Sequence, residues 1–404
     1  MAFNCKWCIH LILVGLMIGC QGQNLSIQPE TSTLSNDFDR NPPFEYKMPA
    51  QLSSIDTSDG WAQDGQKILL TGTVFLPDSK TPAAGIVLYY YHTDIHGIYA
   101  MDPAKNYNMP KNELGQTHGY LRGWIKTDST GRYEIYTILP GAYPGRGEPK
   151  HIHVYIKESD QDLPYYIDDF VFDDDPLLTS AKRVKLENRG GSGVIRFGAQ
   201  GDLLIGERNI ILGLNIKGYQ NGTFTKSLSG KNIGEEVLSF TPYHAFGPDK
   251  GTKTCPVCKY GWFHGIVYFV GNGADWSAIK KWLVFLEAES EKRKEYLKVY
   301  LVYGNDQNYS KKDRMNQLEK LGAELKLKNT ALTFVPSLTD QESDVYLNAI
   351  NQQVENTILV YRRNTIIAKY IDAPAIPANF TEISMLLDET STGYFKLPRP
   401  IYEE

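Results

Sequence analysis

The feature that most constrains the fold is a change of apolar rhythm partway along the chain. Between Gln66 and Ile216, apolar and aromatic residues come in short extended runs, at 67–75, 85–91, 133–138, 151–157, 194–197 and 209–216, separated by Gly, Pro and Asp turns. No long helical period interrupts them, so this part is expected to be an all-β sandwich. After Lys253 the rhythm switches. A strand at 265–270 is followed by Trp276, Ile279, Leu283 and Leu286 at helical spacing, and then by a strand at 297–303. Strand, helix and strand in that order imply a parallel βαβ unit. Further strands are expected at 332–335, 356–361 and 365–370, with Arg363-Asn364 turning a hairpin and a closing helix at 377–387. That is the layout of an α/β, thioredoxin-like domain.

A chain of 404 residues accommodates two domains. The division expected is 61–218 for the sandwich, 219–253 for a polar linker, 254–388 for the α/β domain and 389–404 for a polar tail. The net charge of -5 leaves no basic excess to neutralise phosphates, so nucleic acid is excluded as a partner class.

The first 20 residues carry Lys6, an apolar run at 9–18, and then Gly19-Cys20. This run is too short for a permanent membrane helix and has the layout of a signal peptide. The segment Leu16-Met17-Ile18-Gly19-Cys20 resembles a bacterial lipobox, in which Cys20 becomes the acylated first residue; an ordinary cleaved signal is the alternative. Both readings imply export from a bacterial cytoplasm, the first with a lipid anchor as the only membrane contact. Residues 21–60, rich in Ser, Asn, Gln, Asp and Pro, are expected to form a flexible tether. Two cysteines then remain in the folded part, Cys255 and Cys258.

The sequence His151-Ile152-His153 lies in an extended run, where residues i and i+2 share a face. Both imidazoles then point one way while Ile152 packs behind them, a geometry that suits two nitrogen ligands on one metal. Upstream, Leu139-Pro140-Gly141-Ala142-Tyr143-Pro144 is a turn presenting a tyrosine, and the stretch from His92 to Gly97-Ile98-Tyr99 ends another run in a tyrosine. Between them lie Leu121-Arg122-Gly123-Trp124 and Gly131-Arg132-Tyr133, and downstream come Asp173-Asp174-Asp175-Pro176 and Glu207-Arg208-Asn209-Ile210.

In their order and spacing these segments, over residues 66–217, resemble the intradiol ring-cleaving dioxygenases, such as protocatechuate 3,4-dioxygenase and catechol 1,2-dioxygenase. The resemblance implies non-haem Fe(III) held by Tyr99 and His151 as equatorial ligands and by Tyr143 and His153 as the axial pair. Two phenolates suit a hard, highly charged ion, and that charge in turn favours their deprotonated form. The implied substrates are a small aromatic diol and O2, with Tyr143 displaced by substrate and acting as a base, and the ring opened between its hydroxylated carbons. The chain departs from the family pattern where an arginine three residues before the first histidine is expected, since Glu148 stands there. A carboxylate cannot stabilise negative charge on a substrate ring, so either Arg146 or Lys150 reaches in to do so or the substrate class differs. His96 and His118 are expected to be solvated loop histidines, and Asp168, Asp169 and 173–175 a solvated acidic loop without calcium-loop spacing.

Cys255-Pro256-Val257-Cys258 precedes the strand at 265–270, whereas a thioredoxin carries its pair after that strand; a structural disulfide is expected, with a redox pair or half of a metal site as the alternatives. Two other functional classes stand beside the dioxygenase. One is a catalytically retired sandwich serving as a surface binding module; the other is a thiol-disulfide exchange protein acting through Cys255 and Cys258. The sequence leaves the catechol and self-association open.

Overall fold

The computed structural model describes residues 43–112, 115–160, 162–222, 224 and 227–401. The expected signal segment and Cys20 lie outside the described residues. Among the described residues, twelve strands build the first half: β1 (Ile55–Thr57), β2 (Lys67–Phe75), β3 (Val87–Tyr91), β4 (Arg122–Lys126), β5 (Arg132–Ile138), β6 (His151–Lys157), β7 (Tyr165–Tyr166), β8 (Phe170–Phe172), β9 (Val194–Ile195), β10 (Gly198–Gln200), β11 (Leu203–Glu207) and β12 (Ile210–Ile211), with a short helix α1 (Ser180–Arg183) between β8 and β9. They form two sheets. One runs β1-β5-β2-β11-β10 with β12 beside β2, and the other β4-β3-β6-β8-β9 with β7 beside β6.

The alternation along each strand decides which side is dry. Ile68, Leu70 and Val74 of the first sheet meet Leu88, Tyr90, Ile125, Ile152, Val154 and Ile156 of the second in one core. The other face of the second sheet therefore carries Tyr89, Tyr91, Trp124, Tyr155 and both histidines of β6. Its aromatic patch is closed by Phe44, which packs in the same cluster and whose carbonyl accepts a 2.6 Å hydrogen bond from Trp124 Nε1. Residues 43–60 are thus no tether. They cover an apolar face, add β1 parallel to β5, and anchor Ser58 Oγ 2.6 Å from Thr137 Oγ1. The run 209–216 is also shorter than expected as a strand, because the positive φ at Gly213 and Asn215 turns the chain after Ile211.

The second half has one sheet, ordered β13-β16-β15-β14-β17-β18, from β13 (Tyr243–Phe246), β14 (His264–Val270), β15 (Leu297–Tyr303), β16 (Ala331–Phe334), β17 (Asn356–Arg362) and β18 (Thr365–Ile371). Its helices are α2 (Pro256–Tyr260), α3 (Trp276–Arg293), α4 (Lys311–Glu324) and α5 (Pro377–Glu389). The molecule as a whole is rich in sheet, with few helices. β14 and β15 pair in parallel and β17 and β18 form an antiparallel hairpin. Helix α3 is capped by Asp275, whose Oδ1 accepts from the backbone N–H of Ser277 and Ala278, and it buries Ile279, Trp282, Leu283 and Leu286. No described helix is long and apolar enough to cross a membrane.

Two expected boundary segments are folded. The stretch expected as a linker, 219–253, buries Val237 and Phe240 and supplies edge strand β13. The stretch expected as a polar tail fully buries Phe395, and its Pro398 carbonyl accepts from the Ala199 N–H at 2.9 Å, tying it to the sandwich. The two halves also meet through Arg196, which bonds Glu236 and the Arg363 carbonyl.

Burial pushes His92 down to about 4 and His264 down to about 3, so both are neutral in the folded protein. Their unfolded forms take up protons below about pH 6.5, so this contribution to stability is complete above that pH and lost as pH falls toward the folded values. At pH 5 the expected loss is about 2 kcal/mol per histidine. Denaturant unfolding at pH 7 and pH 5 measures it, and an unchanged midpoint would contradict it.

Candidate metal centre

Strand β6 presents His151 and His153 on the outer face of the second sheet, and Ile152 between them is fully buried in the inter-sheet core. Two loops bring the tyrosines to the same place. Asp94 organises the first: its Oδ1 accepts from the N–H groups of His96 and Ile98, and its carbonyl from Gly97 and Gly141. Gly97 has φ +77°, and a Cβ there would collide with the Ala142 carbonyl oxygen. The two tyrosine loops can therefore touch only with glycine at this point.

Four donor atoms converge. Tyr99 Oη lies 3.0 Å and Tyr143 Oη 3.2 Å from His153 Nε2, the two phenol oxygens are in contact, and His151 Nε2 is 3.2 Å from His153 Nε2. The outer nitrogens fix the tautomers. His151 Nδ1 donates to the Pro149 carbonyl at 2.8 Å, and His153 Nδ1 donates to Asp169 Oδ1 at 2.8 Å. Each ring therefore carries a proton on Nδ1 and turns its Nε2 toward the other. Burial, and then the neighbouring His153, lower the affinity of His151 for a second proton.

Two imidazole nitrogens facing each other at this distance, with two phenol oxygens beside them, fit a cation bound among the four. Nitrogen ligands about 2.0–2.1 Å from one ion and at right angles stand roughly 2.9 Å apart, close to the spacings here. Without a cation the phenols are protonated: burial first, and then Tyr143, raise Tyr99 well above its ordinary value, and burial likewise raises Tyr143. A bound ion reverses that preference.

Asp169 and Tyr166 are the residues that sequence reasoning missed. Among the described residues His151, His153 and Asp169 form a compact His/Asp group, but the carboxylate reaches Nδ1 of His153, the nitrogen facing away from the tyrosines. Its place is to orient the ring and increase its basicity. Tyr166 Oη donates to the same carboxylate oxygen. Burial alone would raise Asp169, and the charge and hydrogen bond of His153 reverse this, holding it well below the usual carboxylate range.

Of the expected solvated acidic residues, Asp173 and Asp174 are exposed, but Asp168 and Asp175 are not. Asp168 is buried against Arg189, and Asp175 is buried, its carboxylate accepting from the N–H groups of Lys150 and Leu177. His118 is also buried, stacked 3.6 Å from the Tyr91 ring and 2.8 Å from Tyr89 Oη. His96 is exposed, as expected.

A cavity of about 570 Å³ opens beside the two tyrosines, lined also by Ile98, Met101, Lys111, Gln116 and Arg146. The Arg146 guanidinium lies 5.3 Å from the Tyr143 ring centre. Glu148 does not line this cavity. Cys255 and Cys258 are joined as a disulfide at the start of α2, in the second half of the chain.

No family profile matches the chain. A curated catechol 1,2-dioxygenase from Acinetobacter lwoffii is 25% identical over 178 residues, which cover 38% of this chain and 53% of that protein. The chain thus spans about half the length of that relative. Solved structures with likeness to the chain include the dioxygenase domain of a carbohydrate-binding fusion from Streptomyces sp. SirexAA-E, with 22% identity, 41% and 88% of the two chains covered, and a TM-score of 0.29. An intradiol ring-cleavage dioxygenase from Tetranychus urticae matches at 20% identity, 41% and 88% coverage, and a TM-score of 0.30.

Proposed function

We propose, on the premise that the amino-terminal sandwich is a relative of the intradiol ring-cleaving dioxygenases, that it binds non-haem ferric iron and opens catechol-type rings between their hydroxylated carbons with O2. The observation that carries this reading is the convergence of Nε2 of His151 and of His153 with the phenol oxygens of Tyr99 and Tyr143. Bound ferric iron would supply the Lewis acidity that deprotonates the phenols and activates a bound catechol toward O2.

The residues divide the remaining work. Tyr143 lines the cavity and lies beside Arg146, so its phenolate oxygen is placed to accept a substrate hydroxyl proton. Asp169 holds His153 with Nε2 aimed inward. Lys111 and Arg146 give the cavity positive charge, and Arg146 takes over the ring-facing cationic role that Glu148 cannot fill.

Dioxygen uptake with a panel of catechols tests the proposal. Tyr143→Phe is expected to lower turnover by about 100-fold or more, while His96→Ala leaves it unchanged. Uptake that is absent across the panel, or indifferent to Tyr143→Phe, would exclude the reading.

Export with a lipid anchor at Cys20 belongs to the same proposal. It is supported by the disulfide between Cys255 and Cys258, which suits an oxidising compartment. The strand order and closing helix of the second half support a thioredoxin-like reading of that part, with its disulfide placed before β14.

A further inference from the structure

A second cavity, of about 470 Å³, lies between the sandwich and the second half, away from the tyrosines. Five arginines line it, Arg132, Arg196 and Arg208 from the sandwich and Arg362 and Arg363 from the other side, against the carboxylates of Glu207 and Glu389. Arg196 is matched by Glu236 and Asp173, and Arg362 by Glu207 at 2.8 Å. The buried Arg208 and Arg363 have no such partner among the described residues. Arg208 donates to the carbonyls of Asp168, Arg189 and Gly191, and Arg363 to those of Arg196, Tyr394 and Phe395.

Carbonyls satisfy hydrogen bonds but do not neutralise a charge, and an uncompensated buried cation is costly. The Nε–H groups of Arg208, Arg362 and Arg363 also lack any acceptor. Two guanidiniums with no direct ion pair among the described residues, Arg208 from the sandwich and Arg363 from the other half, line one space. Thr73, Asn209 and Thr365 add neutral polar groups to its wall.

We infer that this inter-domain cavity is a binding site for a small oxyanion, a carboxylate or a phosphate, held between Arg208 and Arg132 on one side and Arg362 and Arg363 on the other. Guanidinium groups match the oxygen pairs of both anions bidentately, and this chemistry is common to a dicarboxylate and to phosphate. Because the donors come from both halves, the bound anion clamps one to the other, and binding raises the stability of the whole chain. The inference does not depend on iron: the arginine of the exposed rim, Arg132, sits on β5 in the first sheet, whereas the histidines sit on the second.

The test is thermal unfolding of the full chain with inorganic phosphate, succinate or chloride, at constant ionic strength. The midpoint is expected to rise with phosphate or succinate and not with chloride, and the stronger of the two identifies the source. Arg363→Gln is expected to abolish the rise. Should that variant not fold, Arg132→Gln decides, because its side chain is exposed, and its apparent affinity should fall about tenfold for one lost charge-assisted contact. No oxyanion-specific rise in the unaltered protein, or an equal rise in Arg132→Gln, overturns the inference.

Discussion

Replacing His153 by alanine is expected to abolish stoichiometric iron binding, and Asp169→Asn to weaken it by about 10- to 100-fold while leaving all four ligands in place. His153 Nε2 is the atom that both phenol oxygens and His151 Nε2 approach, so its loss removes the centre of the cluster. Asp169 acts at one remove. As a carboxylate it accepts from Nδ1 and forces the lone pair onto Nε2; an amide can present its N–H₂ instead, and the ring loses its preference. Iron titration of both variants, followed by metal analysis after gel filtration, reads the difference. Equal affinity of Asp169→Asn and the unaltered protein would remove Asp169 from the account.

Ile152→Ala tests the opposite face of the same strand. Ile152 is fully buried between the sheets, and truncation is expected to cost about 2–5 kcal/mol, the transfer of its side chain plus the cavity left behind. The fraction that stays folded should still bind iron at the normal stoichiometry, because the side chain points away from the ligands. Denaturant unfolding and metal content, measured on the same sample, separate the two effects. A stable variant that has lost iron would contradict the assignment of faces along β6.

The period-two pattern of β6 made the histidine pair legible, and the runs 67–75, 151–157 and 297–303 coincide with β2, β6 and β15. These are strands whose alternation or apolar continuity reflects burial directly. Asp169 was not legible for a different reason. Antiparallel pairing of β6 with β8 sets His151 opposite Val171 and Ile152 opposite Phe170, and continuing that register puts His153 opposite Asp169. Nothing local separates this aspartate from Asp168 or the acids at 173–175, so only the cross-strand register singles it out.

Residues 43–60 read as a tether because their few apolar residues are isolated; Phe44 is buried by an aromatic patch that other strands assemble. Helix α4 was missed in a similar way. Its apolar face is narrow, with Leu318 and Leu321 buried within an otherwise polar run. The inter-domain arginines carry no sequence signal at all, since Arg132, Arg208 and Arg363 are brought together by the packing of the two halves.

The visible absorption spectrum of the protein loaded aerobically with iron tests the central claim most directly. Two tyrosinates on one ferric ion give a charge-transfer band in the visible, so the account predicts a coloured protein whose band shifts when a catechol is added and changes in Tyr143→Phe. A protein that binds one equivalent of iron and remains colourless would show that Tyr99 and Tyr143 do not share the ion with His151 and His153, and would contradict it.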